Sequence, residues 1–287
     1  MSHIFYIVDV FAEEKYSGNQ LAVVRGGADL PDETLGKIAL EMNYSETTFV
    51  LAEEARDGGY DVRIFTPGGE VPFAGHPTLG TAYVIRQEIL AEPVERITLN
   101  LKAGKIPVTF GDVLWMRQLT PTFGPILDHA RVSSVLDLEE EDLDDRYPVQ
   151  EVSTGLPAIV VPLSSLGALR RCRFDRERYL ELAGSGKNLY AFCPEAHESD
   201  PGDLSARMFT SDLGFAEDPA TGSAAGCLAG YLVEHRYFGT DSIDVRVEQG
   251  YEIGRPSLLY LRAARDGEET SVFVGGKVQM VARGELV

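Results

Sequence analysis

Residues 218–233 read DPATGSAAGCLAGYLV, and this stretch determines the fold that the sequence predicts. No residue from 219 to 233 is charged, and the polar ones are Thr221, Ser223 and Tyr231. A helix without a polar face has to be buried on all sides. Since most of the surrounding sequence favours strands, we expect this helix to form the centre of a small barrel.

A second stretch of the same character occurs in the first half of the chain, where residues 76–85 read HPTLGTAYVI. The two stretches agree at one constant offset in four positions, which pair Pro77 with Pro219, Gly80 with Gly222, Thr81 with Ser223 and Ala82 with Ala224. Two further matches precede them in the same order: SGNQLAVV at 17–24 with TGLPAIV at 154–160, and RIFT at 63–66 with RMFT at 207–210. Several landmarks in one order favour an internal duplication over coincidence.

Each half otherwise favours strands. Residues 60–65 alternate apolar with polar side chains, the period of a half-buried strand. Further strands are predicted at 97–101, 107–110, 243–247 and 271–274. Residues 31–42 have the spacing of an outer amphipathic helix. The predicted fold class is α+β, with two pseudo-symmetric domains, each a barrel-like and mostly antiparallel sheet around a central helix, and a cleft between them.

The composition excludes several classes of partner and cofactor. A formal charge of −19 repels nucleic acid and anionic lipid, and no apolar run is long enough to span a membrane. Three scattered cysteines form no CxxC pair, which is typical of a reducing cytoplasm. The five histidines show no metal-ligand spacing, and no nicotinamide, flavin or pyridoxal motif is present. We therefore expect no metal and no cofactor.

The starts of the two central helices are candidate anion sites. The helices are predicted to begin at His76-Pro77 and at Asp218-Pro219, where proline suits the first helical position and Asp218 is a good N-cap. Amide N–H groups and the helix dipole attract anions there, and Gly75, Gly222 and Ser223 are small enough to let a ligand approach. Plain capping without a ligand explains either helix start alone. The matched pair favours binding of a substrate carboxylate.

Glu46 is a candidate acid and base. It lies between the amphipathic helix and the apolar strand that follows it. Burial of a carboxylate raises its pKa towards values that are useful for proton transfer. Composition alone favours the alternative of a surface glutamate at a strand end, so both interpretations stay open at this stage.

The motifs together resemble the PhzF-like family of phenazine biosynthesis. The resemblance depends on motifs that occur in order along nearly the whole chain: GNQLAV at 18–23, SET at 45–47, RIFTP at 63–67, FAGHPT at 73–78, EDPATGSA at 217–224, and QG at 249–250 followed by GRPS at 254–257. It implies a diaminopimelate-epimerase-like fold, two domains with the site between them, and a homodimer. It also implies a discontinuous first domain of residues 1–118 plus 277–287 and a second domain of residues 119–276, with the last strand returning to the first.

The resemblance also implies roles for particular residues. Glu46 corresponds to the general acid and base of the family. His76, Asp218 and Ser223 correspond to residues that bind and polarise the substrate, assisted by Gly75 and the helix-start amides, among them that of Gly222. The related epimerases use two cysteines as opposed bases, and the matching positions here are Ala74 and Pro219. A thiol-based racemase is therefore excluded.

The predicted function is that of a cofactor-independent isomerase in the cytoplasm. It would move a proton on a small carboxylate-bearing metabolite, such as a cyclic acid or an aromatic precursor, with Glu46 acting in the interdomain cleft. The alternative is a small-molecule-binding protein of the same fold without turnover. Retention of Glu46 with His76 and Asp218 favours the enzyme, because a binding protein needs no general base. The sequence does not identify the substrate.

Overall fold

The computed structural model describes residues 2–184, 186–197, 202–211 and 216–287. The chain divides into two compact units. The first unit comprises Met1–Arg117 and Gly275–Val287, and the second comprises Gln118–Val274. Among the described residues, no helix is long and apolar enough to cross a membrane.

The first unit contains two helices and a set of short strands. Its helices are α1 (Asp32–Met42) and α2 (Gly75–Val84), and α2 continues into a π-helical turn at Ile85–Ile89. Its strands are β1 (His3–Val10), β2 (Asn19–Arg25), β3 (Glu46–Val50), β4 (Tyr60–Thr66), β5 (Gly69–Val71), β6 (Arg96–Leu101), β7 (Gly104–Thr109), β8 (Leu114–Arg117) and the C-terminal β18 (Val278–Leu286). As predicted, the last strand returns to the first: β18 pairs with β1 in antiparallel fashion.

The second unit contains most of the remaining elements. Its helices are α3 (His129–Val135), α4 (Leu166–Arg171), α5 (Arg176–Ala183) and α6 (Gly222–Glu234). The strands that follow β8 are β9 (Thr122–Leu127), β10 (Val149–Ser153), β11 (Pro157–Pro162), β12 (Asn188–Cys193), β13 (Leu204–Thr210), β14 (Glu217–Asp218), β15 (Ser242–Gln249), β16 (Ser257–Asp266) and β17 (Glu269–Gly276), whose last two residues belong to the first unit. Each of the strands predicted at 60–65, 97–101, 107–110, 243–247 and 271–274 overlaps a strand of the structure, and only the one at 107–110 runs past its observed end, at Thr109.

The two units repeat one order of strand pairing, which supports the predicted duplication. In the first unit β1–β2 is antiparallel, β2–β3 parallel, β3–β4 and β4–β5 antiparallel, β4–β6 parallel and β6–β7 antiparallel. The second unit gives the same series for β10–β11, β11–β12, β12–β13, β13–β14, β13–β15 and β15–β16. The closing pairs, β18–β1 and β9–β10, are both antiparallel.

The two central helices are buried, as the absence of charge predicted. Every residue of α6 from Gly222 to Val233 is buried, and α2 is buried except at Tyr83. Close packing explains the small residues of α2, since a Cβ atom on Gly80 would lie 2.6 Å from Leu21 Cδ2. The amphipathic helix is also confirmed: α1 buries Leu35 and Ala39. The structure thus has the predicted α+β class, with each central helix packed among strands of its own unit.

Candidate active site

Glu46 is the first residue of β3, and the fold buries most of its side chain. Residue 46 stands beside Leu21 in the parallel pairing of β3 with β2, and pairing with β4 begins only at Thr47. The remaining four residues of β3 are buried, and the Glu46 side chain is 12% exposed. The carboxylate therefore lies at the edge of the core and not on an open surface.

His76 contacts this carboxylate from the start of α2. Its Nε2 atom lies 3.4 Å from Glu46 Oε2, and its side chain is 5% exposed. On the other side of the ring, Nδ1 lies 3.3 Å from Nδ2 of Asn19 in β2. Three elements, β2, β3 and α2, thus bring Asn19, His76 and Glu46 into one buried series.

His76 is neutral at physiological pH. Burial lowers its pKa from 6.5 to about 3, although a hydrogen bond with the Gln20 backbone opposes the shift. A neutral imidazole has one nitrogen that donates and one that accepts. The 3.4 Å approach of Nε2 to Glu46 Oε2 is a contact that does not meet hydrogen-bond geometry. A neutral imidazole that closed this distance could donate to a Glu46 carboxylate or accept from a Glu46 carboxylic acid, so the contact is compatible with both states of an acid–base residue.

The packing between β3 and α2 fixes this geometry. The hydroxyl oxygens of Thr48 and Thr81 lie 2.8 Å apart, which joins the strand to the helix by a buried hydrogen bond. Thr48 also donates to the carbonyl of Ala22, at 3.5 Å. Rigid elements that hold a site in this way reduce the cost of positioning a substrate.

In the second unit, Asp218 is buried in an extended segment. It belongs to β14 and pairs with Met208 of β13. Its side chain receives a short hydrogen bond at Oδ2 from the hydroxyl of Thr221, and the residue is 4% exposed. Asp218 is therefore held by the protein before any ligand binds.

The predicted helix starts were wrong in position. Helix α6 begins at Gly222 with Thr221 as its N-cap residue, so Asp218 is not the N-cap. The reason is that β13 pairing and side-chain contacts hold Asp218 in extended backbone. Helix α2 begins at Gly75, so Pro77 is its third residue and not its first.

The first turn of α6 offers more amide donors than the first turn of α2. The first intrahelical bond runs from the Ala225 amide to the Thr221 carbonyl, at 2.9 Å. The amides of Gly222, Ser223 and Ala224 precede that bond and point along the positive end of the helix dipole. In α2 the same turn contains Pro77, which has no N–H group. The two helix ends are thus chemically unequal.

The structure brings the predicted residues together in two groups. Glu46, Gly75 and His76 belong to the first unit, and Asp218, Gly222 and Ser223 belong to the second. Sequence reasoning did not single out Asn19 or Thr221, which contact His76 and Asp218. Each of the two is a polar residue within an otherwise apolar motif. The same pattern occurs at binding sites, helix caps and turns, so it does not identify a binding site.

The described residues offer no metal centre and no reactive thiol near these groups. None of the described histidine, cysteine and acidic side chains form a cluster of three that could hold a metal ion. Cys227, in α6, is buried, and burial raises the pKa of its thiol to about 11. It donates to the carbonyl of Leu156 at 3.4 Å, so it is a core residue and stays protonated at neutral pH.

Comparison with known proteins identifies similar chains over their full length. The family model described as "phenazine biosynthesis-like protein" (PhzC-PhzF) matches residues 8–284. The trans-2,3-dihydro-3-hydroxyanthranilate isomerase of Pseudomonas aeruginosa is 35% identical over 98% of each chain.

Solved structures show the same fold. A PhzF family phenazine biosynthesis protein of Bacillus anthracis has a TM-score of 0.92 and 26% identity, covering 100% of this chain and 99% of that one. A probable proline racemase of Agrobacterium radiobacter has a TM-score of 0.62 at 10% identity, covering 99% and 93%, and at that identity only the fold is shared.

Proposed function

The chain belongs to the phenazine biosynthesis-like (PhzC-PhzF) family and is an isomerase, and from this premise we propose that it moves a proton between two carbon atoms of a small cyclic carboxylic acid, with Glu46 as acid and base. The relatives named as trans-2,3-dihydro-3-hydroxyanthranilate isomerases suggest the substrate class, a ring that carries carboxylate, amino and hydroxyl groups. A proton shift within one molecule leaves its oxidation state unchanged. The reaction as proposed therefore needs no electron acceptor and no cofactor.

The observation that supports this proposal is the buried contact between Glu46 and His76. A carboxylate that is largely shielded from water is suited to removing a proton from carbon. Neutral His76, 3.4 Å away, can bond either state of that carboxylate without adding a competing charge. An ion pair with a permanent cation would instead hold Glu46 ionised and weaken it as an acid.

The proposed reaction has two steps on one face of the substrate. The Glu46 carboxylate takes a proton from a ring carbon, the C–H electron pair moves into the conjugated system, and Glu46 becomes a carboxylic acid. The acid proton exchanges with solvent, and Glu46 then delivers a proton to another carbon of the system while the double bonds shift accordingly. Atoms and charges balance, and Glu46 is regenerated.

We assign substrate binding to the second group of residues. The amides of the first turn of α6, with Gly222 and Ser223, suit a carboxylate. Asp218, as an anion, suits an amino or hydroxyl group on the same ring. Gly75 would let the substrate approach the start of α2. The proposal requires that one substrate contacts residues of both groups, which a crystal structure with a bound cyclic carboxylate would test.

The experiment that tests the acid–base role is solvent exchange. Wild-type protein is incubated with trans-2,3-dihydro-3-hydroxyanthranilate in deuterium oxide, and deuterium in the product is measured by mass spectrometry. Glu46→Gln keeps the shape of the side chain but removes the proton carrier, so turnover and exchange should fall by about 10⁴-fold or more, while binding persists. Wild-type exchange rates in Glu46→Gln would refute the mechanism.

A matched control separates this effect from a general loss of charge. Glu151 lies in β10 of the second unit, and its side chain is 20% exposed and paired with Lys187 at 2.6 Å. Glu151→Gln removes the same charge away from the predicted site residues and should leave exchange unchanged. An equal fall in both variants would indicate that net charge, and not the position of Glu46, determines the rate.

Three features implied by the resemblance remain predictions. These are folding as domains of residues 1–118 plus 277–287 and 119–276, assembly as a homodimer, and a place in the cytoplasm. Light scattering of the purified protein would test the dimer directly. None of the three is required by the chemistry proposed above.

A further inference from the structure

Gln249, the last residue of β15, makes a set of hydrogen bonds that its position in the fold does not require. The residue is 1% exposed. Its Nε2 atom donates to the carbonyl of Asp218 at 2.8 Å and to the Thr221 hydroxyl at 3.3 Å. Its Oε1 atom accepts from the Thr221 amide at 3.3 Å and from the Tyr190 hydroxyl at 3.0 Å. One buried amide thus contacts both ends of the segment 218–221.

The partners determine which way the amide faces. The Thr221 N–H group can only donate and the Asp218 carbonyl can only accept, so the oxygen must face the former and the nitrogen the latter. Tyr190 reinforces this orientation, because burial raises the pKa of its hydroxyl well above 10, and Asp218 adds to the shift. The phenol stays protonated and donates to Gln249 Oε1.

These bonds extend to the Asp218 carboxylate through Thr221. The Thr221 hydroxyl donates to Asp218 Oδ2, and its oxygen accepts from Gln249. The residue after Gln249 restrains the same segment: Gly250 has a φ of 81°, and a Cβ atom there would lie 2.6 Å from the Pro219 carbonyl oxygen. Gln249 and Gly250 therefore hold the backbone from Asp218 to the start of α6.

The first unit shows that the fold forms without this amide. RIFT at 63–66 corresponds to RMFT at 207–210, so Tyr60 corresponds to Leu204. In the parallel pairings, Tyr60 lies beside Leu99 and Leu204 beside Val247. Counting two residues further along each strand places Leu101 at the position of Gln249. A buried leucine at that position serves the same strand pairing in the first unit, although a segment of three residues precedes the helix in both units.

We propose that Gln249 is a positioning residue of the isomerase, which holds Asp218 and the first turn of α6 in the conformation that binds substrate. The inference depends on the binding role proposed above for Asp218. Strand pairing alone does not require the Gln249 amide, because Leu101 occupies the equivalent position of the first unit. The positioning role of Gln249 is therefore distinct from a purely structural one.

The test replaces Gln249 with the residue of the first unit. Gln249→Leu keeps the side-chain size and removes all four hydrogen bonds. Amide hydrogen exchange should become faster in residues 218–225, and kcat/KM with trans-2,3-dihydro-3-hydroxyanthranilate should fall by about 10- to 100-fold, because small misplacements of binding groups cost about that much. Gln249→Glu should lose activity at high pH and regain it, relative to wild type, as the pH falls, because a protonated glutamate restores both a donor and an acceptor.

A second buried glutamine in the same unit provides the control. Gln150 of β10 is 9% exposed. Its Nε2 atom donates to the Gly124 carbonyl at 3.1 Å, and its Oε1 atom lies 2.8 Å from His235 Nε2. Gln150→Leu should lower the melting temperature by a similar amount but leave kcat/KM and exchange in 218–225 unchanged. If both variants lose activity in proportion to stability, the positioning role is refuted.

The outcomes separate this inference from the proposed function. If wild-type protein does not convert the probe, the proposed substrate fails, and exchange in 218–225 still decides whether Gln249 holds the segment. If wild-type protein is active, and Gln249→Leu retains both its kcat/KM and its slow exchange, the positioning role is overturned while the isomerase assignment stands. Faster exchange together with reduced kcat/KM supports it.

Discussion

The two central helices, α2 and α6, share a buried environment and begin at equivalent points of the two units, which differ from the match of His76-Pro77 with Asp218-Pro219 that the sequence suggested. Helix α2 begins at Gly75, so His76 lies in its first turn. Helix α6 begins at Gly222, and Asp218 lies in the preceding strand β14. Asp218 pairs with Met208 as Val71 pairs with Ile64, so the strand pairing makes Val71 the counterpart of Asp218 and Ser223 the counterpart of His76. Equivalent positions of the two units thus carry different functional groups: a histidine corresponds to a serine, and a valine corresponds to a carboxylate.

The strands next to the helices differ in the same way. Glu46 begins β3 beside Leu21, whereas Asn188 begins β12 beside Ala158, which corresponds to Leu21 by the match of 17–24 with 154–160. The carboxylate that we propose as acid and base is therefore present in one unit only. The repeated strand pairing supports a duplicated scaffold, and the residues to which we assign proton transfer and binding differ between equivalent positions of the two units.

The largest expected effect follows from giving the first unit the residue that the second unit has at the position of Glu46. Glu46→Asn copies the residue of the second unit and removes the only carboxylate of the equivalent pair. Turnover should fall by about 10⁴-fold, the upper end for a general acid–base group. Steady-state kinetics would measure it. The reciprocal control, Asn188→Ala, should change turnover by less than a few-fold; a comparable loss there would mean that both units contribute to proton transfer.

The next effect concerns the unfolding free energy at acidic pH, which depends on His76 in the first unit. The pKa of His76 is about 3 in the folded chain and 6.5 in the unfolded chain, so below pH 6.5 the unfolded state binds a proton that the folded state does not. The free energy of unfolding that His76 contributes is therefore fully present above pH 6.5 and is lost as the pH falls towards 3. The slope approaches about 1.4 kcal/mol per pH unit within that window.

Denaturation with urea at several pH values would measure this slope. His76→Gln removes the titrating group. As the pH falls from 6 to 4, the unfolding free energy of wild type should therefore decrease more steeply than that of the variant. Equal slopes for both proteins would show that His76 is protonated in the folded state. The neutral state assigned to the histidine would then be wrong.

The parts of the fold that depend on periodicity were predictable from the sequence. The helix predicted at 31–42 is observed at Asp32–Met42, and the absence of charge in 219–233 correctly predicted a buried helix. Burial of this kind is encoded within one segment, because a helix with no polar face has no alternative. The duplication was also visible, since the matched motifs occur in the same order.

The parts that depend on distant contacts were not predictable. Asp218-Pro219 has the local features of a helix start, but the contacts of Asp218 with Met208 and of Gln249 with the segment keep it extended. Composition alone favoured a surface position for Glu46, whereas its side chain is only 12% exposed and contacts His76, and its backbone pairs with that of Leu21. In both cases the deciding partners lie far away in sequence, so no local pattern contains the information.

The smallest effect tests how tightly the two helices of the first unit are packed at their glycines. Gly75 starts α2 as Gly222 starts α6, whereas Gly80 lies inside α2, where a Cβ atom would come within 2.6 Å of Leu21 and 2.9 Å of Val10. Gly80→Ala should therefore lower the free energy of unfolding by about 1–3 kcal/mol through overpacking. Gly36 in α1 has nothing within 4 Å of the same atom, so Gly36→Ala should instead raise it by about 0.4–1 kcal/mol, because alanine favours a helix and restricts the unfolded chain. Chemical denaturation of the two variants would measure both. A stabilising Gly80→Ala would mean that α2 has room to move against β1 and β2, and that close packing does not fix His76 beside Glu46.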